Sequence, residues 1–353
     1  MISVVKRSQT LLKNHSREWF FCLFTLVLLV GCNRHSAPVQ LGGDIMGTTW
    51  GVSYIGGPAE LTPLQVQQGA EVLLAQLESS MSTYRADSEI SHFNATDMQT
   101  WFASSEDFFT VLGTALEVGR QSEGAYDVTV GSLVDLWGFG PGDIVEVPPA
   151  KHEIEQLMSQ VGQNKLRLDD QSRSIMRLSE LSVDVSSLAK GYAVDSVAEW
   201  LLAQGVTRFM VEVGGEMRLS GLSGRDDLWR IAIEQPMISA RSIAITMNLT
   251  GVAIATSGDY RNYFEAEGRR YSHSIDPRTG YPVEHDLVSV TVVHPSCMIA
   301  DAWATALIVL GPERAMVVAQ AQGLAVYFIR RVEDKFVHSQ TPLFEAYLSA
   351  PTS

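Results

Sequence analysis

The run Ala300-Asp301-Ala302-Trp303-Ala304-Thr305-Ala306-Leu307-Ile308-Val309-Leu310 sets one carboxylate and one hydroxyl four residues apart in an otherwise apolar segment. That spacing stacks Asp301 and Thr305 on one face of a helix. The helix is apolar nearly all round and is expected to be buried. A buried carboxylate must be paired, hydrogen-bonded or metal-bound. Two readings stand. Asp301, in a first turn, answers the helix dipole, or it joins the Thr305 hydroxyl in holding a hard cation. Mg²⁺ suits so sparse a supply, because it takes one or two carboxylates and fills its shell with water and substrate phosphates.

A second cluster runs Asp184-Val185-Ser186-Ser187-Leu188-Ala189-Lys190-Gly191-Tyr192-Ala193-Val194-Asp195. An acidic residue at a strand end leads through two serines into a helix. One reading is a serine N-cap with a solvated lysine. The other turns the hydroxyls, the first backbone N–H groups and Lys190 toward phosphates or a polar heterocycle. The third cluster is Tyr271-Ser272-His273-Ser274-Ile275-Asp276-Pro277-Arg278-Thr279-Gly280, a strand entering a tight turn at Asp-Pro and Thr-Gly. Its histidine is either structural or a proton acceptor. Val213-Gly214-Gly215-Glu216 reads as a hairpin turn, and Ala255 to Tyr260 as a strand ending in a loop.

Several common chemistries are excluded. The chain has no G-x-x-x-x-G-K-[ST] phosphate loop, no H-E-x-x-H zinc helix and no G-x-S-x-G nucleophile elbow. Gly138-Phe139-Gly140-Pro141-Gly142 carries a proline and opens no helix, so it is a loop and not a dinucleotide fingerprint.

The elements that must position these residues follow from periodicity. Thr48–Ile55 reads as a strand. Thr62-Pro63 supplies an N-cap and a first-turn proline for a helix whose apolar positions Val66, Ala70, Leu73, Leu77 and Met81 recur on one face. Further helices are expected over Glu106–Gln121, Lys190–Gln204, Ile299–Leu310 and Glu313–Gln322. A hairpin is expected at 165–178, and short strands at 208–213, 229–233, 243–249, 252–256, 271–275, 288–293 and 324–329. Strands separated by turn-length gaps imply an α+β body of mainly antiparallel sheets with packed helices.

Composition bounds the rest. The chain has 353 residues, 46% hydrophobic and 19% charged, with a formal net charge of −14. Such an acidic surface, without a basic block in the body, argues against nucleic acid as a partner. Three cysteines make neither a disulfide framework nor a four-thiolate zinc site. Residues 1–31 follow a secretory layout: Lys6, Arg7, Lys13 and Arg17 precede the apolar run Trp19–Val30, which is too short to span the ~30 Å hydrocarbon core comfortably. The run ends Leu29-Val30-Gly31-Cys32, which resembles a bacterial lipobox with Cys32 as the acylated residue. An uncleaved N-terminal anchor is the other reading. Both tether the body, residues 44–349, outside the cytoplasm through a segment 32–43, and leave Cys297 as a buried, unreactive thiol.

Taken in order, the motifs are similar to those of the ApbE family, the FAD:protein FMN transferases. The matching segments are Met46-Gly47-Thr48-Thr49, Met81 to Ser91, Gly124 to Thr129, Asp184 to Asp195, Gly214-Gly215-Glu216, Ser257-Gly258-Asp259-Tyr260, His273 to Gly280, and Asp301 to Thr305. The resemblance implies a single T-fold-like catalytic body in a lipoprotein on the periplasmic side of the inner membrane. It further implies FAD contacts at Met46, Tyr84, Ala125, Tyr126, Asp127, Asp184, Lys190 and Ile275, and a Mg²⁺ held by Ser187, Asp301 and Thr305. Some relatives carry a second aspartate where this chain has Ala304, so a backbone carbonyl or water must take that place. The implied reaction moves the FMN part of FAD to a threonine or serine hydroxyl and releases AMP. Its acceptors would be redox subunits such as those of Na⁺-translocating NADH:quinone reductase. His273, poised near neutral pH, is the expected base, with Asp276 or the metal-bound environment as the other candidates. An FAD pyrophosphatase with water as nucleophile and a non-catalytic flavin-binding lipoprotein are the competing functions.

Overall fold

An eight-stranded antiparallel sheet organises the chain in the computed structural model, which describes residues 37–142, 147–237, 242–258, 262–333 and 335–348. The expected signal peptide, Cys32, and Asp259 with Tyr260 lie outside the described residues. In spatial order the strands are Val39–Ile45, Thr48–Tyr54, Phe209–Val213, Glu216–Ser220, Val252–Gly258, Leu287–His294, Ala325–Val332 and Lys335–Gln340. The first of them corrects the expected tether. Residues 39–43 pair with 50–54 in the sheet, so part of the segment assigned to 32–43 belongs to the body.

Period-2 alternation puts two cores on the sheet's two faces. Ala253, Ala255, Val290, Val292, Val326 and Phe328 face the helices, whereas Ile254, Val293, Tyr327 and Ile329 face a separate hairpin and the terminal helix Pro342–Leu348. That hairpin pairs Trp229–Glu234 with Ile243–Leu249. The helical layer holds Pro63–Met81, Glu106–Gln121, Ser186–Ala203 and Cys297–Leu310. In the first of these, Leu74 rather than the expected Leu73 completes the buried face with Val66, Ala70, Leu77 and Met81.

The helices Ser186–Ala203 and Cys297–Leu310 cross closely, and Gly191 is the reason. A Cβ built there would lie 2.5 Å from the Cys297 carbonyl oxygen and 2.8 Å from the Met298 Cα. No larger residue fits this crossing without moving backbone. A smaller core beside them, formed by Leu133, Trp137, Ile154 and Ile275, supports the loops at 137–142 and 273–280. It is tied by the Trp137 indole N–H, which donates to the Gly280 carbonyl at 2.9 Å.

Candidate functional site

The ends of these elements enclose a cavity of about 470 Å³, within the size range of small-molecule sites. Ser187, Asp184 and Lys190 come to it from the start of the Ser186 helix, and Asp301 and Thr305 from the Cys297 helix. Glu216 comes from the sheet. Tyr84, Ala125, Tyr126, Asp127, Phe139, His273 and Ile275 line the remaining wall. Of the residues expected to contact flavin, Met46 alone is missing from the lining. It occupies a two-residue turn at φ 50° with Gly47 at φ 69°, and its N–H donates to Glu78 Oε1 at 3.0 Å.

Asp301 as a residue is 2% exposed. Its Oδ2 accepts the Gly191 N–H at 3.0 Å and lies 3.7 Å from Lys190 Nζ. It therefore sits in the body of its helix and binds the neighbouring one, instead of answering its own helix dipole. Burial raises its pKa to about 7, with Glu216 pushing the same way and Lys190 opposing. Thr305 Oγ1 is 3.1 Å from Ser257 Oγ, and Ser187 Oγ shares a 2.8 Å hydrogen bond with the Tyr126 hydroxyl. Burial raises the Tyr126 phenol above its ordinary pKa, so it stays protonated.

Three expectations change here. The Ser186 helix begins at Ser186, four residues ahead of the expected Lys190, with Val185 at its N-cap and no hydroxyl cap. Asp184 Oδ1 accepts the Ser186 N–H at 2.8 Å, doing the capping from outside. Lys190 is not a free cation facing phosphates: its Nζ lies 3.0 Å from Glu216 Oε1. Asp127 lines the cavity, yet its carboxylate also holds its own loop, accepting from the Thr129 N–H and hydroxyl and the Gln163 N–H.

Half-buried His273 shares a 3.0 Å hydrogen bond between Nδ1 and the Asn262 carbonyl. A carbonyl can only accept, so Nδ1 carries the proton and Nε2 is left as the acceptor. Burial lowers the imidazole pKa, and Lys190 adds to this, so the ring is neutral at neutral pH. Asp276, the other candidate base, is held by Arg278 through two 2.8 Å contacts to its two oxygens. Cys297 is buried, and burial raises its thiol pKa well above the ordinary value.

The chain matches the ApbE family across residues 46–328. It belongs to the ApbE family. Among its relatives, the FAD:protein FMN transferase of Vibrio cholerae serotype O1 is 44% identical over 94% of this chain and 99% of its own length. That of Escherichia coli K12 is 36% identical over 92% and 96%. The solved flavin transferase ApbE from Vibrio cholerae superposes with a TM-score of 0.83 at 41% identity, covering 89% of this chain and all of its own. The ApbE protein of Thermotoga maritima superposes at 0.80 with 25% identity, over 89% of this chain and all of its own. These likenesses cover the whole α+β body that builds the cavity. Within this ApbE-family site, the contribution of Glu216 is the one that residue types alone did not reveal. Its only signal was the Gly214-Gly215 doublet before it, at φ 61° and 105°, which turns the sheet hairpin sharply enough to aim Glu216 at Lys190.

Proposed function

We propose that this chain transfers the FMN part of FAD to a threonine or serine hydroxyl of an acceptor protein, leaving a phosphoester-linked flavin and releasing AMP. The observation that carries this reading is the cavity itself. It joins an aromatic and apolar wall, suited to a flavin ring, to an oxygen-lined end at Asp301, Thr305 and Ser187. Family membership and the FAD:protein FMN transferase activity of the relatives support it.

The donor set at that end fits a hard cation. It consists of one carboxylate and two hydroxyls, all oxygen, and among the described residues no cluster of three His, Cys, Asp or Glu side chains gathers as a metal site. So lean a set calls for Mg²⁺, completed by water and substrate phosphate oxygens. Ala304 is fully buried in the core and adds no side-chain donor. Asp301, Thr305 and Ser187 would hold the ion, which when bound withdraws charge from the pyrophosphate. The protein's own part is positioning. Tyr84, Ala125 and Ile275 receive the flavin, and His273 Nε2 accepts the proton of the attacking hydroxyl. The phosphorus on the riboflavin side gains the acceptor oxygen and loses the bridging oxygen, which departs with AMP.

Its place in the cell belongs to the same proposal. The lipobox at Leu29–Cys32 supports a lipid anchor on the periplasmic side of a bacterial inner membrane. Redox subunits of Na⁺-translocating NADH:quinone reductase or related electron-transport complexes are the proposed acceptors there. The test incubates the protein with FAD, Mg²⁺ and an acceptor domain. Flavin fluorescence that stays on the denatured acceptor, together with AMP, supports transfer. Free FMN with AMP indicates a pyrophosphatase, and unchanged FAD a carrier.

A further inference from the structure

Lys190 is shared between two buried carboxylates, and it is shared unequally. Its ammonium lies 3.0 Å from Glu216 and 3.7 Å from Asp301, whose side chains are 4% and 3% exposed. Glu216 has capacity to spare, because among the described residues its buried Oε2 has no hydrogen-bond partner. A buried carboxylate oxygen without a partner is costly and calls for a donor.

The charges explain the arrangement. With both carboxylates ionised, two carboxylates and one ammonium leave this corner one negative charge in excess. Remove Glu216, and the Lys190–Asp301 pair is neutral, so the ammonium occupies the carboxylate that the proposed Mg²⁺ needs. We infer that Glu216 is a positioning residue: it holds Lys190 off Asp301, so that a divalent cation rather than the ammonium takes the Asp301 carboxylate. When the cation arrives, Lys190 swings fully onto Glu216, and the vacant Oε2 accepts its second N–H. The Gly214-Gly215 turn permits this. A Cβ at Gly214 would sit 3.1 Å from the Lys190 Cδ and 3.0 Å from the Thr48 Cγ2, tighter than ordinary contact, and the turn holds Gly214 at φ 61°, so glycine gives the lysine stem its room. This inference rests on the proposed cation site.

The test reads cation binding directly. Mn²⁺ is titrated into the detergent-solubilised full chain with FAD bound, and free Mn²⁺ is followed by its electron paramagnetic resonance signal. Glu216→Gln should weaken Mn²⁺ binding about tenfold or more, within the usual range for coupled sites. Glu216→Asp should recover part of the loss. Adding Lys190→Met to Glu216→Gln should restore binding to within about threefold of Lys190→Met alone, because the competing ammonium is gone. A merely structural glutamate would not be rescued by removing the lysine. If Glu216→Gln fails to fold, the comparison of the double variant with Lys190→Met, in which no buried ammonium is stranded, still decides. Wild-type affinity in Glu216→Gln, or an equally weak double variant, overturns the inference and leaves the cation site standing. No Mn²⁺ binding by the wild-type chain overturns both.

Discussion

At the scale of single residues, the site works by what each group is denied. Asp301 is denied water, and its pKa is raised to about 7 chiefly by that burial. Binding a cation there must displace a proton as pH falls. Half-saturation by Mg²⁺ should therefore rise as pH drops from above 7 toward the ordinary carboxylate range, and a flat titration would contradict the assignment. Asp301→Ala should cost more than about a hundredfold in Mg²⁺-dependent transfer; full activity across a Mg²⁺ titration would remove Asp301 as a ligand. His273 is denied a positive charge by burial and by Lys190. At saturating Mg²⁺ the acid limb of kcat should lie below the ordinary imidazole value of about 6.5, since a lowered pKa keeps the base free to lower pH. His273→Ala should bind FAD normally, by flavin fluorescence, yet transfer about 10²- to 10⁴-fold more slowly. Unchanged turnover would exclude the histidine. The residue types were legible in the sequence, since an i, i+4 Asp–Thr pair in an apolar helix already pointed to an oxygen site. The partners were not. Glu216 meets Lys190 only because the sheet returns to the helix start, and local spacing carries no such information.

At the scale of elements, one close crossing sets the geometry. The Gly191 N–H reaches Asp301 because the Ser186 and Cys297 helices touch backbone to backbone there. Gly191→Ala should lower unfolding stability by about 1–3 kcal/mol in urea titrations and weaken Mg²⁺ activation as the helices part. A variant of wild-type stability and metal dependence would show that the crossing is not tight. The long elements were readable in advance: Pro63–Met81 by its Thr62 cap and apolar face, Glu106–Gln121 by Phe108, Leu112 and Ala115. The helices Glu89–Ala95, Gly131–Leu136, Lys151–Met158 and Pro342–Leu348 were not, because six to eight residues hold too few turns for periodicity to declare itself. Strand Val39–Ile45 was hidden for another reason. Its exposed, Gly-rich edge sequence has little apolar alternation, and pairing with Thr48–Tyr54 is what makes it a strand.

At the scale of the whole molecule, an antiparallel sheet with its main helical layer on one face brings motifs from residue 84 to residue 305 around one cavity. No described helix is long and apolar enough to cross a membrane. The proposed attachment is through Cys32. Cys32→Ser should move the protein from the membrane to the soluble fraction while transfer to a soluble acceptor domain persists; retention in the membrane fraction would contradict the lipid anchor. The proposed reaction turns on one bond, between the riboflavin-side phosphorus and the bridging oxygen of FAD. FAD labelled at that phosphorus, incubated with the protein, Mg²⁺ and an acceptor domain, follows that bond. The label should appear on the acceptor in a denaturation-resistant linkage, with one unlabelled AMP released for each flavin attached. Label in AMP, or label confined to free FMN, would contradict the account.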